Sequence, residues 1–344
     1  NSDSETTGGA IGASWFGEDV MVGLSWARHE TNYGLPGPGE EAEDPLEEPA
    51  AIRIDQEQDR FDFTAEWSNL GGIVDSVLLR AAYNDYQHAE LEGAEIGTLF
   101  EQTGLDTRLH VGHAPLAGWA GTLGVQYTDT DLDAFGAEAY IPPSQTEAWS
   151  LFLLERRQFD RLIVDLGGRL ERQEVDTEAA LRDYSGTAFT LAGGLLWAFD
   201  DALTGALQIT RSERHPQAAE LYADGPHLAV GRFEIGDDRL GTETANTIDV
   251  GLRREGFVHW HASLYYSDFA DYIYVAATGA EEDGLPVFQY VQQDAEFYGL
   301  EAEIEFPLYG SDAGALHARL GGDSVRGKLS NGGNLPQIPP LRLM

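Results

Sequence analysis

Strict alternation of apolar and polar residues is the feature of this sequence that most constrains its fold. Between residues 246 and 253, Ile248, Val250 and Leu252 have one parity, and polar or small residues occupy the other. A period of two is typical of a β-strand with one apolar and one polar face. The pattern recurs in roughly fourteen segments of about ten residues, a length typical of membrane β-barrel strands. The sequence therefore predicts an all-β protein.

The connections between these segments alternate in length. Short turns are predicted at 17–19, 68–72 and 115–119, and long polar loops at 32–50, 89–104, 130–145, 174–184, 212–244 and 276–285. Membrane β-barrels have short turns at one end, longer external loops at the other, and strands with an apolar outer face. We therefore predict a transmembrane antiparallel β-barrel. A soluble all-β protein with one solvated face is the alternative, but it would not explain the alternating connection lengths.

Charged and aromatic residues also fit a barrel. Glu301, Glu303 and Glu305 lie on one strand face, which would be costly in a dry core but is easily placed in a water-filled lumen. Such a row would favour cations. Trp and Tyr residues near the strand ends, such as Trp67 and Trp197, suit the aromatic girdles at the membrane surfaces.

Charge and composition limit the classes of binding partner that the chain can have. The chain has 344 residues, with 21 Lys and Arg against 59 Asp and Glu, giving a net charge of −38. This disfavours nucleic acid, because phosphate binding needs Lys and Arg. Cations are the natural partners of such a field, although adaptation to a saline habitat is a second possible cause. Cysteine is absent, which excludes a thiolate metal site. The sequence contains no recognisable nucleophile–base pair or phosphate-cradling loop, so we do not predict an enzyme.

Several segments, taken in order, resemble TonB-dependent outer-membrane receptors, and within that family the zinc-receptor (ZnuD-like) branch. They are NYGLPG (32–37), YQHAELEGAEIGTLF (86–100), AFGAEAYIPPSQTEAWSLF (134–152), ELYADGPHLAVGRFEIGD (220–237) with TETANTIDVGLR (242–253), and FYGLEAEIEFPL (297–308). One departure from that branch is the loop after NYGLPG, which is rich in Glu and contains no His. Imidazole suits zinc better than carboxylate does.

The resemblance implies a 22-stranded barrel with an N-terminal plug, in the outer membrane of Gram-negative bacteria. Residues 1–344 would then be the central part of the barrel domain, without the plug and the last strands. The implied partners are outer-membrane lipid, a divalent metal ion, and the TonB–ExbB–ExbD complex acting through the plug. We expect uptake of zinc or a related divalent ion as cargo, with no resident cofactor. The alternatives are a siderophore or vitamin receptor, a passive cation-selective porin without a plug, and a surface attachment protein.

Candidate metal ligands lie in three predicted external loops. They are His227, Glu220 and His215 in loop 212–244, Glu138 in loop 130–145, and His88 and Glu95 in segment 86–100. Zinc accepts His nitrogen and carboxylate oxygen, so convergence of these loops over the barrel mouth would form a site. For each residue the competing interpretation is a structural hydrogen bond. His259 and His261 form a second pair, which we expect to line the lumen near the periplasmic end.

Overall fold

The computed structural model describes residues 3–35, 52–93, 95–311 and 314–344, and within them the protein is almost entirely β. In chain order the elements are β1 (Ser4–Phe16), β2 (Val20–Gly34), β3 (Ile52–Trp67), β4 (Val74–Glu92), β5 (Glu95–Leu116), β6 (Trp119–Phe135), β7 (Ser144–Phe159), β8 (Leu162–Thr177), β9 (Tyr184–Ala198), β10 (Leu203–Arg214), α1 (Ala218–Tyr222), β11 (Asp224–His227), a 3-10 turn (Leu228–Val230), β12 (Arg232–Ile235), β13 (Glu243–Arg254), β14 (His259–Glu282), β15 (Leu285–Ser311), β16 (Gly314–Leu329) and β17 (Arg342–Leu343).

The seventeen strands of the described residues belong to one sheet. Each of β1–β9 pairs antiparallel with the next strand, β10 pairs with β13, and β13–β17 continue the meander. The ten strands β1–β10 and the four strands β13–β16 make fourteen long strands in the described part of the chain, as the periodicity predicts. The short strands β11 and β12 lie in the β10–β13 connection, and β12 runs parallel to β15. The all-β antiparallel fold is confirmed.

Strand register gathers the apolar residues on one face. Val164, Leu195, Leu207, Val250, Leu264 and Leu300 are successive cross-strand partners from β8 to β15. This row faces outward, and Leu264 and Leu300 are 58% and 47% exposed. A soluble sandwich would bury such a row, whereas a membrane barrel presents it to lipid. The exposed apolar face therefore agrees with the barrel prediction and not with the soluble alternative.

Side-chain hydrogen bonds join the strands across the opposite, polar face. Gln126 of β6 donates to Asp106 of β5 (2.6 Å) and accepts a hydrogen bond from Arg169 of β8 (3.0 Å). Arg169 also donates to Ser150 of β7 and pairs with Glu171. This face is therefore a polar wall, in which hydrogen bonds and ion pairs join residues both within a strand and across neighbouring strands.

Two of the predicted long loops are instead tight hairpins. Segment 89–104 is occupied by the ends of β4 and β5, which turn at Gly93, and segment 276–285 by β14 and β15, which turn at Asp283-Gly284. Asp283 and Gly284 both have positive φ (50° and 78°), as a two-residue hairpin turn requires. In those segments the strict alternation of apolar and polar residues ends while the backbone pairing continues. The loop prediction at both places was wrong.

The remaining outer connections are shorter than predicted. Strand β6 runs to Phe135 and β7 begins at Ser144, which reduces loop 130–145 to 136–143. Loop 174–184 becomes 178–183, and the predicted loop 212–244 contains α1 and the β11–β12 hairpin. Strand β2 extends to Gly34, and residues 36–50 of predicted loop 32–50 lie outside the described residues. Among the residues that the structure describes, no helix is long and apolar enough to cross a membrane.

The buried core lies beneath the outer connections. One cluster consists of Val175, Tyr184, Leu221, Tyr222, Leu240 and Ile273, and a second of Phe100, Ala134, Tyr140, Ile141 and Ala223. Tyr222 is 1% exposed, and its hydroxyl donates to the carbonyls of Val175 and Arg182, each at 3.1 Å. These two clusters fix α1 and the residue that follows it, Ala223, against the sheet.

The register predicts a sharp difference between neighbouring positions in β14. Replacing Leu264, on the apolar face, by Arg should lower the free energy of unfolding by about 2–4 kcal/mol, the cost of a cation near the bilayer centre. Ser263→Arg is the matched control, because Ser263 lies opposite Glu301 on the polar face and should change stability by less than about 1 kcal/mol. Urea unfolding in liposomes measures both. Equal losses would contradict the assigned faces.

Candidate functional site

A buried ion-pair junction fixes both ends of the 215–242 connection. Arg214, the last residue of β10, pairs with Glu220 of α1 (2.8 Å) and with Glu243, the first residue of β13 (2.9 Å). Glu220 also accepts a hydrogen bond from the backbone N–H of Gln217 (2.8 Å), which caps α1. Glu243 accepts another from the backbone N–H of Ile273 (2.9 Å). Both oxygens of the predicted ligand Glu220 therefore have structural partners.

His215 is buried beside this junction. Its exposed fraction is 4%, and its Nδ1 lies 2.8 Å from the hydroxyl of Tyr184. Burial lowers the pKa of the imidazole. Its Nε2 is buried and has no hydrogen-bond partner among the described residues. His215 therefore belongs to the core near α1, and no contact brings it to His227 in the described structure.

Glu234 of β12 is the most deeply buried carboxylate of the outer region, at 1% exposure. Its Oε1 accepts hydrogen bonds from Arg232 (2.6 Å) and His227 Nδ1 (3.1 Å), and its Oε2 accepts one from the Tyr290 hydroxyl (2.9 Å). Burial opposes ionisation, but the hydrogen bonds from His227 and Arg232 outweigh it and lower the pKa of Glu234 to about 2. Glu234 is thus a fixed anion.

This anion orients His227. Because an ionised carboxylate only accepts, the imidazole donates through Nδ1–H, which leaves the lone pair of Nε2 available in the neutral ring. Nε2 lies 3.9 Å from Glu90 Oε1 and 3.5 Å from the Tyr140 hydroxyl. The His227 ring stacks on Tyr140 with a centroid distance of 4.4 Å. One ring nitrogen is therefore held by Glu234, and the other faces the end of β4.

His88 and Glu90 approach His227 from β4. Glu90 is 6% exposed, and burial raises the pKa of its carboxyl, with His227 lowering it and Glu138 raising it. His88 stacks on Phe100 at 4.6 Å, and its buried Nδ1 has no hydrogen-bond partner within the described ranges. Burial and the charge of His227 lower the pKa of His88. His88, Glu90, Tyr140, His227 and Glu234 are called the outer cluster below.

Glu138 borders the outer cluster from connection 136–143. The carboxylate of Glu138 lies directly over Gly97 of β5. Any side chain at position 97 would occupy the space of this carboxylate. The structure therefore brings together three predicted residues, His88, Glu138 and His227, from three separate elements. Glu95 is instead an exposed residue at the tip of the β4–β5 hairpin, opposite Glu92.

Each histidine of the second predicted pair, His259 and His261, lies beside a carboxylate. His259 Nδ1 lies 2.7 Å from Glu255, and His261 Nε2 lies 3.8 Å from Glu301. In the same band Glu303 pairs with Arg319 (2.5 Å) and Glu305 with His317 (3.1 Å). The predicted row of lumen carboxylates is therefore largely paired with cations or imidazoles on β14 and β16.

Sequence reasoning missed Glu234 and Tyr140, which lie nearest to His227. The Arg232-x-Glu234 spacing in RFEI places both side chains on one face of β12, and this was the available signal. In the parts of the chain that are described, no three His, Asp or Glu side chains are already arranged to hold a metal ion. The outer cluster offers imidazole and carboxylate donors whose present partners are protein groups.

The chain matches one protein family in sequence and several solved proteins in fold. The model of the family "TonB dependent receptor-like, beta-barrel" matches residues 4–344. The copper transporter OprC superposes with a TM-score of 0.83 at 18% identity. The match covers 99% of this chain and 56% of the OprC chain. The FrpB iron transporter from Neisseria meningitidis (F5-1 variant) has a TM-score of 0.73 at 13% identity, covering 95% of this chain and 54% of its own.

The unliganded ferric citrate transporter FecA is a third similar structure, with a TM-score of 0.70 at 14% identity. That match covers 99% of this chain and 55% of FecA. The present chain thus spans about half the length of these solved proteins. At such identities the likeness is one of fold.

Because the pKa of Glu234 is lowered in the folded protein, the stability of the β11–β12 hairpin depends on pH. Its folded pKa of about 2 lies below its ordinary 4.5, so ionised Glu234 stabilises the hairpin above pH 4.5. This contribution is lost as the pH falls from 4.5 towards 2. Hydrogen exchange of residues 224–235, corrected for intrinsic rates, should therefore lose protection between about pH 5 and about pH 3.

Two variants test the assignment to Glu234. Glu234→Gln should have reduced protection at every pH and little remaining pH dependence. Asp224→Asn is the control, because the Asp224 side chain is exposed at the start of the same hairpin and lies outside the outer cluster, and this variant should behave like the unsubstituted protein. A pH dependence that survives in Glu234→Gln would contradict the assignment.

Proposed function

The chain belongs to the family of TonB-dependent receptor-like β-barrels, and from this premise we propose that it forms part of an active-transport receptor for a divalent metal ion, with zinc as the first candidate. Barrels of this family lie in the outer membrane of Gram-negative bacteria, and the exposed apolar face suits that environment. In this proposal the TonB–ExbB–ExbD complex drives uptake through a plug domain. The receptor binds its cargo and carries out no chemical reaction.

The orientation of His227 is the observation that carries the proposal. A histidine that binds a metal through one ring nitrogen usually donates the other N–H to a carboxylate, which fixes its tautomer and direction. Glu234 holds His227 Nδ1 in this way and directs Nε2 towards Glu90. Zinc binds imidazole nitrogen and carboxylate oxygen, so Nε2 and Glu90 are the first two ligands that we propose.

Two further groups could complete the coordination. His88 has an unpartnered buried Nδ1, and Glu138 is close enough to raise the pKa of Glu90. The Nε2–Glu90 separation of 3.9 Å requires a small approach of the two side chains around a shared ion. We therefore propose that the cation draws these groups together, because no three of them already form a site in the described residues.

The donor set also bears on which metal is carried. Soft thioether and thiolate ligands select Cu(I), but the chain has no Cys, and its two Met residues, Met21 and Met344, are outside the outer cluster. Imidazole and carboxylate suit Zn²⁺ and Cu²⁺ instead. OprC is titled a copper transporter, which makes Cu²⁺ the second candidate cargo here.

A receptor for a metal chelate is the alternative function, and the rings around the outer cluster favour it. Tyr86, His88, Phe100, Tyr140 and His227 form an unbroken series of ring contacts with centroid distances of 4.4–5.9 Å. Phe100 and Tyr140 are buried, but Tyr86 and His88 at one end of the series are partly exposed, and such rings can stack on a planar organic ligand. Similar solved structures include an alcaligin receptor of Bordetella pertussis and the ferric citrate transporter FecA.

Titration of the full-length receptor in detergent tests the metal proposal. We expect saturable Zn²⁺ binding that weakens at least about 100-fold in His227→Ala and about 10–100-fold in Glu234→Gln, which loses the orienting carboxylate. His317→Ala is the matched control, because this imidazole pairs with Glu305 at the other end of the sheet and should leave affinity unchanged.

Cargo identity needs a second measurement, because Cu²⁺ binds most nitrogen and oxygen sites more tightly than Zn²⁺. Uptake of each metal by cells expressing the receptor, with and without TonB, separates transport from adventitious binding. Zn²⁺ affinity that is unchanged in both His227→Ala and Glu234→Gln would refute the proposed ligands. TonB-dependent uptake of a ferric chelate with no uptake of free metal would favour the alternative.

A further inference from the structure

Two arginines stand directly opposite each other on the polar wall. Arg80 of β4 and Arg108 of β5 are cross-strand partners in the register of the sheet, with both side chains on the face away from the apolar row. Like charges in this relation destabilise an antiparallel pair. A chain with 59 acidic residues could readily supply a carboxylate between them.

Nearby carboxylates neutralise the positive charge of Arg80 and Arg108 only in part. Among the residues that the structure describes, no carboxylate lies within 4.0 Å of Arg80, and the nearest to Arg108 is Asp106 at 3.6 Å. Asp106 already accepts a hydrogen bond from Gln126. The Nε of Arg108 is buried and has no hydrogen-bond partner within the described ranges. Arg108 therefore retains an unused donor, although its side chain is partly exposed.

Other arginines of the polar wall are fully engaged. Arg60 forms a two-pronged pair with Asp62, with nitrogen–oxygen distances of 2.8–3.0 Å. Arg169 binds Glu171, Ser150 and Gln126 together. Unsatisfied positive charge is therefore a local property of Arg80 and Arg108 and not a general feature of the wall.

A recess of about 440 Å³ opens beside the two arginines. Ala82 and Gly104, which follow them towards the outer end of the strands, leave this space because their side chains are small or absent. Gln102, Thr128 and Thr130 add side-chain hydrogen-bond donors to its lining. The recess is therefore a pocket of donors around a pair of cations.

We propose that this recess binds a carboxylate group between Arg80 and Arg108. Guanidinium forks match a carboxylate with two parallel hydrogen bonds, and a bound anion would remove the repulsion between the two cations. Three arginines (60, 80 and 108) and two aspartates (62 and 106) line the recess, so its net charge is +1. This favours a single carboxylate over a phosphate dianion. This carboxylate site lies on the polar wall and is independent of the metal cargo.

The carboxylate has two possible sources, a small solute or an acidic side chain from elsewhere in the full-length receptor. Thermal unfolding of that receptor, with acetate added at constant ionic strength, distinguishes them. A solute site predicts a saturable rise in the unfolding temperature, with an affinity at least about tenfold weaker in Arg80→Gln and Arg108→Gln. An internal carboxylate predicts no acetate effect but a lower unfolding temperature in both variants.

The sign of the stability change can overturn the proposal. If no carboxylate is bound, removing one of two opposed cations relieves repulsion, so both variants would unfold at an equal or higher temperature with no response to acetate. Arg156→Gln is the control, because Arg156 already pairs with Asp165 on the neighbouring strand and should not alter the acetate response. Arg108→Lys keeps the charge without the fork, and under the proposal it should recover only part of the loss.

Discussion

Hydrogen bonding between neighbouring strands is the constraint on which the rest of this structure depends. In lipid every backbone N–H and C=O must find a partner within the protein, so each strand must pair along its whole membrane-spanning length. Pairing fixes register, and register decides which residues face lipid. Leu264 opposes Leu300 and Ser263 opposes Glu301, so a slip of one residue would exchange an apolar face for a charged one. The polar wall and the apolar band are therefore two consequences of one set of hydrogen bonds.

The candidate site is built where the same pairing continues beyond the apolar band. Strands β14 and β15 extend past their neighbours as a hairpin, and β12 adds to β15 in parallel at Phe233–Ile235. The Arg214 junction holds the other end of the connection. Together these contacts carry His227 to the end of β4, where Glu90 and His88 are already fixed. A connection without these anchors could not hold a buried Glu234 next to an oriented imidazole.

The sequence predicts the sheet well and the outer region less well, for a physical reason. Alternation identifies a strand only where one face is apolar and the other polar, which holds in the band around Leu264. Above the band the outer parts of β14 and β15 bury residues such as Ile273 and Val287 under the outer connections. The strict alternation of apolar and polar residues therefore disappears while the strand pairing continues, and only the Asp283-Gly284 turn signals a hairpin. His88, Glu138 and His227 could be predicted to converge because their residue types suggest ligands. Glu234 could not, because its role comes from burial and three donors that belong to other elements.

Charge balance connects the two proposed binding sites. In a chain of net charge −38, each arginine has many carboxylates to choose from, so local imbalance is informative. Around the outer cluster, the buried carboxylates Glu90 and Glu234 lie beside one arginine, Arg232, so negative charge exceeds positive charge there. A divalent cation would offset that excess. At Arg80 and Arg108 the imbalance is reversed and amounts to one charge, which a single carboxylate would cancel. The two sites therefore call for ligands of opposite sign, the cation at the outer connections and the carboxylate on the polar wall.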